Sequence, residues 1–216
     1  APPLIDADRL TVPELLGDHG YHTACIGKWH LGWDWPTDDG RPASGDAAIG
    51  DIEVETRRAR DEHVDFSEPI GGGPTDRGFD HYFGDDVPNF QPYTWIEDDR
   101  ILRQPTAERP EEMFGFGSGG PMAPGWTLES VMPEITARAV EYVEEQGQAY
   151  VEDGDPFFLY FSLTAPHTPI VPAKRFRGRS DAGPYGDWVC EVDWAVGEVL
   201  DALDRAGLAE DTLVVF

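Results

Sequence analysis

Lys28 and His30 stand one residue apart, directly after a short apolar run, in Gly20-Tyr21-His22-Thr23-Ala24-Cys25-Ile26-Gly27-Lys28-Trp29-His30-Leu31-Gly32. A lysine supplies a point cation and an imidazole supplies a donor or proton carrier, which are the groups an anionic ligand calls for. His167 comes much later, in Ala165-Pro166-His167-Thr168-Pro169, again just past an apolar run. Together these side chains support capture of an anion with proton transfer near neutral pH. A buried strand followed by a surface lysine and structurally bonded histidines gives the same pattern without chemistry. The elements that carry the residues must decide.

Residues 21–26 read as a strand leaving a turn at Gly20. Gly27 ends it and allows a close backbone approach. Residues 156–164, Pro-Phe-Phe-Leu-Tyr-Phe-Ser-Leu-Thr, are a continuous apolar run whose length and aromatic content predict a central strand buried on both faces. Lys28, His30 and His167 then all lie at carboxyl ends of strands, where open α/β sheets bind ligands.

The helices follow from caps and spacing. Thr11-Val12-Pro13-Glu14 is a capping box with proline in the first turn, opening a short helix that ends near residues 17–20. Thr127 is expected to cap a helix over residues 128–147, with Leu128, Val131, Met132, Ile135, Ala139, Tyr142 and Val143 on one face. A further helix is expected over residues 185–206, closed by Gly207. Residues 212–216, Thr-Leu-Val-Val-Phe, read as the next strand. Strand, helix, strand, helix, strand implies an α/β fold: a mainly parallel sheet flanked by helices with right-handed crossovers. Residues 34–125 are poor in regular pattern and are expected to form a loop-rich insertion that shapes the substrate site. Within it, 46–63 is a mixed-charge run containing Arg57, Arg58 and Arg60, and Asn89, Tyr93 and Glu97 are candidates either to face substrate or to pack.

Composition bounds the rest. The chain has 216 residues, enough for one domain with a substantial core. A formal net charge of −26 argues against nucleic acid or an anionic membrane as partner. The acid excess, with Lys28 and Lys174 the only lysines, fits either adaptation to high salt or a generic acidic surface. No apolar run approaches the ~20 residues that span a bilayer. Cys25 and Cys190 make no disulfide framework and read as small apolar side chains. Gly27-Lys28 is no phosphate-binding P-loop, since His22 and Trp29 occupy the positions that need Gly and Ser or Thr. Asp85-Asp86 and Asp98-Asp99 are adjacent carboxylates, expected to be solvated and able to hold a cation only if loops fold them together.

The block Gly20-Tyr21-x-Thr23 to Gly27-Lys28-Trp29-His30-Leu31-Gly32 resembles a signature of the formylglycine-dependent, type I sulfatases, arylsulfatase-like members of the alkaline-phosphatase-like superfamily. Three later segments are also similar to that family: Gly78-Phe79-Asp80-His81-Tyr82-Phe83-Gly84, Pro166-His167-Thr168-Pro169, and Pro184-Tyr185-Gly186-Asp187 leading to Asp193 and Gly197. The resemblance implies hydrolysis of a sulfate ester. In that family a Cys or Ser in Cys/Ser-x-Pro-x-Arg becomes formylglycine, its hydrated aldehyde attacks sulfur, and Ca2+ holds the sulfate oxygens and the nucleophile. By matching, Lys28 would bind the sulfate and the nucleophile's hydroxyl. His30 would assist breakdown of the sulfated hemiacetal. His167 would bind sulfate and serve or support the general acid.

The sequence also departs from the family. Cys25 is followed by Gly27 and Trp29 where the nucleophile motif needs Pro and Arg, Cys190 by Val192 and Trp194, and Ser67-Glu68-Pro69-Ile70-Gly71 lacks the Arg. The nucleophile and the calcium ligands are therefore expected outside these residues, with no metal ligand inside them. The chain is expected to be an internal fragment of a sulfatase, inactive by itself. The expected partners are a small-molecule or glycan sulfate ester and the formylglycine-generating enzyme, and export to the periplasm or secretion is typical of the family. A phosphoester or phosphonate hydrolase of the same superfamily, or a non-catalytic binder of sulfated glycans, are the alternative readings.

Overall fold

A computed structural model describes residues 2–41, 43, 63–88, 90–109 and 119–216. The mixed-charge run with Arg57, Arg58 and Arg60, and also Asn89, lie outside the described residues. A five-stranded sheet carries the fold, in the order β4-β3-β2-β1-β7. These strands are β1 (His22–Gly27), β2 (His81–Gly84), β3 (Ile96–Glu97), β4 (Arg100–Ile101) and β7 (Phe157–Ser162). A separate pair joins β5 (Ala107–Arg109) and β6 (Gly120–Met122). The helices are α1 (Val12–Gly17), α2 (Leu128–Asp153) and α3 (Gly183–Ala206).

β1 has neighbours on both sides and runs parallel to each of them, β2 and β7. Beyond β2 the pairing turns antiparallel through β3 and β4. The α/β expectation holds, with a mixed sheet that is parallel where Lys28 and His167 leave it. The period of two along β1 sorts its side chains. Ala24 and Ile26 join Phe83 against Met132, Ile135 and Ala139 of α2 and Trp188 and Ala195 of α3. Cys25 joins Tyr82 and Ile96 against Trp33, Ile70 and Phe79 from the loops. Helices thus cover one face of β1 and loop aromatics the other, which is why this strand has no exposed side.

Several expectations change. The apolar run at 157–162 is an edge strand, not the central one. Phe157, Leu159 and Phe161 pack under the helices and Phe158 on the opposite face, but Tyr160 is 49% exposed. An apolar run reports two apolar faces and says nothing about neighbours along the sheet. Residues 212–216 form no strand, and Leu213, Val215 and Phe216 are exposed. Their β-branched and aromatic content favours a strand only when another strand offers its backbone. α2 runs through Gly147 to Asp153. A Cβ at Gly147 would sit 3.0 Å from the Ala206 side chain, so this glycine admits α3 and does not end the helix. Thr127 is the N-cap residue but its side chain bonds nothing there; Ser130 Oγ donates to its carbonyl instead. The capping box at Thr11 and Glu14 forms as expected. Residues 34–125, read as loop-rich, contain all five strands from β2 to β6. They are too short for a two-residue period to stand out.

Candidate active site

Gly27 and Gly84 make the site possible. Gly27 has φ of +122°, and a Cβ there would lie 2.0 Å from the Ser162 carbonyl oxygen. A Cβ on Gly84 would lie 1.8 Å from the carbonyl oxygen of Gly27. Only glycine lets the ends of β1, β2 and β7 come so close. The Lys28 amide donates to the Ser162 carbonyl at 2.9 Å, and the Trp29 amide to the Asp85 carbonyl at 3.2 Å. The loop beyond β1 is therefore tied to both neighbours. Trp29 is buried and its indole N–H donates to the Gly32 carbonyl at 3.1 Å, anchoring the turn between Lys28 and His30.

Lys28 is half-buried, and that burial lowers its proton affinity, while the Asp85 and Asp86 carboxylates pull it back up. His30 is exposed and sits at φ of +53°, left-handed backbone that is uncommon for a residue with a side chain. Such strain is stored at functional loops when the surroundings enforce it. The desolvated part of the His30 ring holds its pKa below the ordinary histidine value, followed by repulsion from Lys28 and, to a lesser degree, His167, with Asp86 opposing. That lowering favours the neutral imidazole, the form able to accept a proton.

His167 arrives from the loop after β7. Its amide donates to the Thr164 carbonyl at 3.2 Å, and its carbonyl accepts the Trp188 indole N–H from α3 at 3.2 Å. Its Nδ1 lies 2.5 Å from the Thr168 carbonyl oxygen, which can only accept, so Nδ1 carries the proton. That leaves Nε2 as the ring's reactive position. Asp187 of α3 steadies the following turn by accepting from the Gly178 and Ser180 amides at 2.7 and 2.8 Å, and these bonds hold its carboxyl below the usual range.

Lys28, Thr164, His167 and Thr168 line one cavity, with Val131 and Trp188 in its wall. The structure therefore brings Lys28 and His167 together and sets His30 within electrostatic reach of both. Other candidates fall elsewhere. Tyr93 is buried in a cluster with Trp126 and Val131. Glu97 lies 3.5 Å from Arg138 in an ion pair. Phe79, Tyr82 and Phe83 pack in the core, and Asp80 accepts the Thr23 amide at 2.8 Å, so that segment braces β1. Cys25 is buried and its thiol is pushed up to about 12 by burial, an inert side chain. Asp98 remains partly solvent-exposed and also accepts from the Tyr82 amide and pairs with His81.

Asp85 and Asp86 were not legible as site residues. Asp85 is 2% exposed and Asp86 half-buried, where solvation was expected. Burial pushes the Asp85 carboxyl up to about 7, Asp86 adds to this, and Lys28 opposes it. Burial also raises Asp86. Recognising residues 81–84 as the parallel neighbour of β1 would have placed Asp85 level with Lys28. Thr164 was missed too; it is buried, and its Oγ1 has no hydrogen-bond partner. Among the described residues no group of three or more His, Cys, Asp or Glu stands together to hold a metal ion. The described residues do not by themselves fit a calcium centre.

The family model described as Sulfatase matches residues 3–216. A curated N-acetylgalactosamine-6-O-sulfatase of Bacteroides thetaiotaomicron is 29% identical over 230 residues, 99% of this chain and 43% of that protein. An N-acetylgalactosamine-6-sulfatase of Mus musculus is 29% identical over 206 residues, 95% of this chain and 31% of that protein. A solved structure from work on glycosaminoglycan metabolism by Bacteroides thetaiotaomicron matches with a TM-score of 0.70 at 22% identity, covering 98% of this chain and 46% of that one. The chain spans less than half the length of these relatives.

Proposed function

This chain belongs to the sulfatase family, and from that premise we propose that it carries the oxyanion-binding part of a sulfate-ester hydrolase. The observation that carries the proposal is Lys28 and His167 in the wall of one cavity at the carboxyl ends of β1 and β7. Lys28 supplies a cation on a tied loop, where little reorganisation is needed as charge develops on the transferring group. His167, with Nδ1 committed to Thr168, presents Nε2 to the cavity, where it donates to a sulfate oxygen or protonates the leaving oxygen when the ring carries its second proton. His30, adjacent, is available as a base toward the nucleophile that a longer protein supplies. Residues 34–125 shape the substrate side of this site. Calcium and a formylglycine nucleophile belong to the reading as groups that other parts of a longer protein supply, together with the enzyme that generates formylglycine.

The names of the relatives favour a sulfated amino sugar as substrate. The test is expression of the full-length protein with a formylglycine-generating enzyme, followed by assay on 4-nitrophenyl sulfate, 6-sulfated N-acetylgalactosamine and 4-nitrophenyl phosphate. Sulfate release is expected, with Lys28→Ala lowering kcat/KM by roughly a hundredfold or more, the scale of losing one charge-stabilising donor. Phosphate release alone would place the protein with the phosphoester hydrolases. Saturable glycan binding without release would make it a binder.

A further inference from the structure

The buried carboxyl of Asp85 takes no part in these roles, and its place in the fold gives it one. The parallel register pairs Ile26 with Phe83. Carried on past both glycines, it sets Lys28 level with Asp85. The bond from the Trp29 amide to the Asp85 carbonyl shows that the pairing continues beyond the strand ends. The Tyr82 hydroxyl, shared between the carbonyl oxygens of Asp85 at 2.9 Å and Gly27 at 3.1 Å, fixes the same backbone from below. The side chain is held in the interior at 2% exposure, and among the described residues no other residue donates to either carboxylate oxygen.

A buried carboxylate without donors is costly unless a cation faces it or it takes up a proton. The charge of Lys28, from the loop after β1, favours its ionised form; Asp86 beside it does the opposite. Tyr82 of β2 lies in the same field. His30 faces Asp86 and Lys28.

We propose that Asp85 is a positioning residue for Lys28: ionised, it draws the ammonium inward and repels an oxyanion, and protonated, it frees the ammonium to meet one. The proposal rests on Lys28 being the sulfate-binding cation. The consequence is an oxyanion site that works best on the acid side of neutrality. The shift of Asp85 up to about 7 puts its proton loss inside the relevant range. Burial lowers the proton affinity of Lys28, and the charges of Asp85 and Asp86 partly offset that.

The experiment is calorimetric titration of the full-length protein with inorganic sulfate, from about pH 5.5 to about pH 8.5, a window that brackets the Asp85 transition by linkage. Other groups of the site also respond to pH, so the comparison is between wild type and Asp85→Asn at each pH. The variant is expected to match wild type near pH 5.5 and to bind sulfate roughly fivefold to tenfold more tightly near pH 8, about the effect of one nearby charge. Asp85→Ser is expected to reproduce the trend, with a side chain small enough to repack. A ratio of affinities that stays constant across pH overturns the proposal. Lys28→Ala separates the two levels. If it binds sulfate as wild type does, the reading of the site fails and the proposal with it; if it weakens binding while both Asp85 variants track wild type, only the role of Asp85 fails.

Discussion

At the scale of single residues, opposite displacements mark the site. Asp85 is pushed up to about 7 while Lys28 is lowered, and both shifts begin with burial. Strongly perturbed proton affinities beside a cavity are typical of functional clefts. The Asp85 shift also has a stability consequence whose sign is fixed. Its folded pKa lies above the unfolded value, so the folded state binds the proton more tightly. Its stabilising contribution is present at acid pH, below the unfolded pKa, and is lost as pH rises toward about 7. Asp85→Asn removes the charge but keeps the shape. It is predicted to stabilise the folded state at pH 8 by a few kcal/mol at most, seen as a higher melting temperature, and to change stability little at pH 4.5. Thermal denaturation of the two proteins at both pH values is the check. Equal differences at the two pH values would mean that the carboxyl is not protonated as the fold suggests.

The strand ends form the next scale. Lys28 and Asp85 face each other because β1 and β2 pair in parallel and both finish on a glycine. At Gly27 the positive φ and the 2.0 Å approach to Ser162 act together. Gly27→Ala must move β7 away or twist the loop that carries Lys28. It is predicted to destabilise the protein by about 2–4 kcal/mol, in the range of strain at a special backbone position. Denaturant unfolding measures it, and a loss below about 0.5 kcal/mol, the ordinary surface range, would contradict the close approach. The helix α1 was legible in full because its capping box is a local event: Thr11 and Glu14 bond one another three residues apart. The end of α2 was not. Gly147 has the composition of a stop signal, and only the approach of Ala206 explains a glycine inside the helix.

For the molecule as a whole, charge sets the conditions under which the site works. A chain of net charge −26 repels the anion that Lys28, His30 and His167 would hold. Salt screens that long-range field with a Debye length of ~10 Å at 0.1 M, while contacts inside the cavity are screened less. Stability is therefore predicted to increase with KCl between about 0.05 M and about 1 M as self-repulsion is screened. Melting temperatures across that series test it, and a maximum at the lowest salt would remove the case for a high-salt protein. Among the described residues no helix is long and apolar enough to cross a membrane.

What the sequence determined by itself was local or periodic. It carried the glycine, lysine and histidine after the first strand, the capping box, the apolar stripe of α2, and the family. Each depends on residues close along the chain, whose spacing is preserved in the text of the sequence. What only the tertiary structure decided was which strands lie side by side. It moved the aromatic run at 157–162 to the sheet edge and put His81–Gly84 beside β1. It thereby buried Asp85, which in the sequence is one acid among many in an acidic chain. Burial and register come from neighbours far apart in sequence, and a carboxylate's chemistry changes with those neighbours while its letter does not.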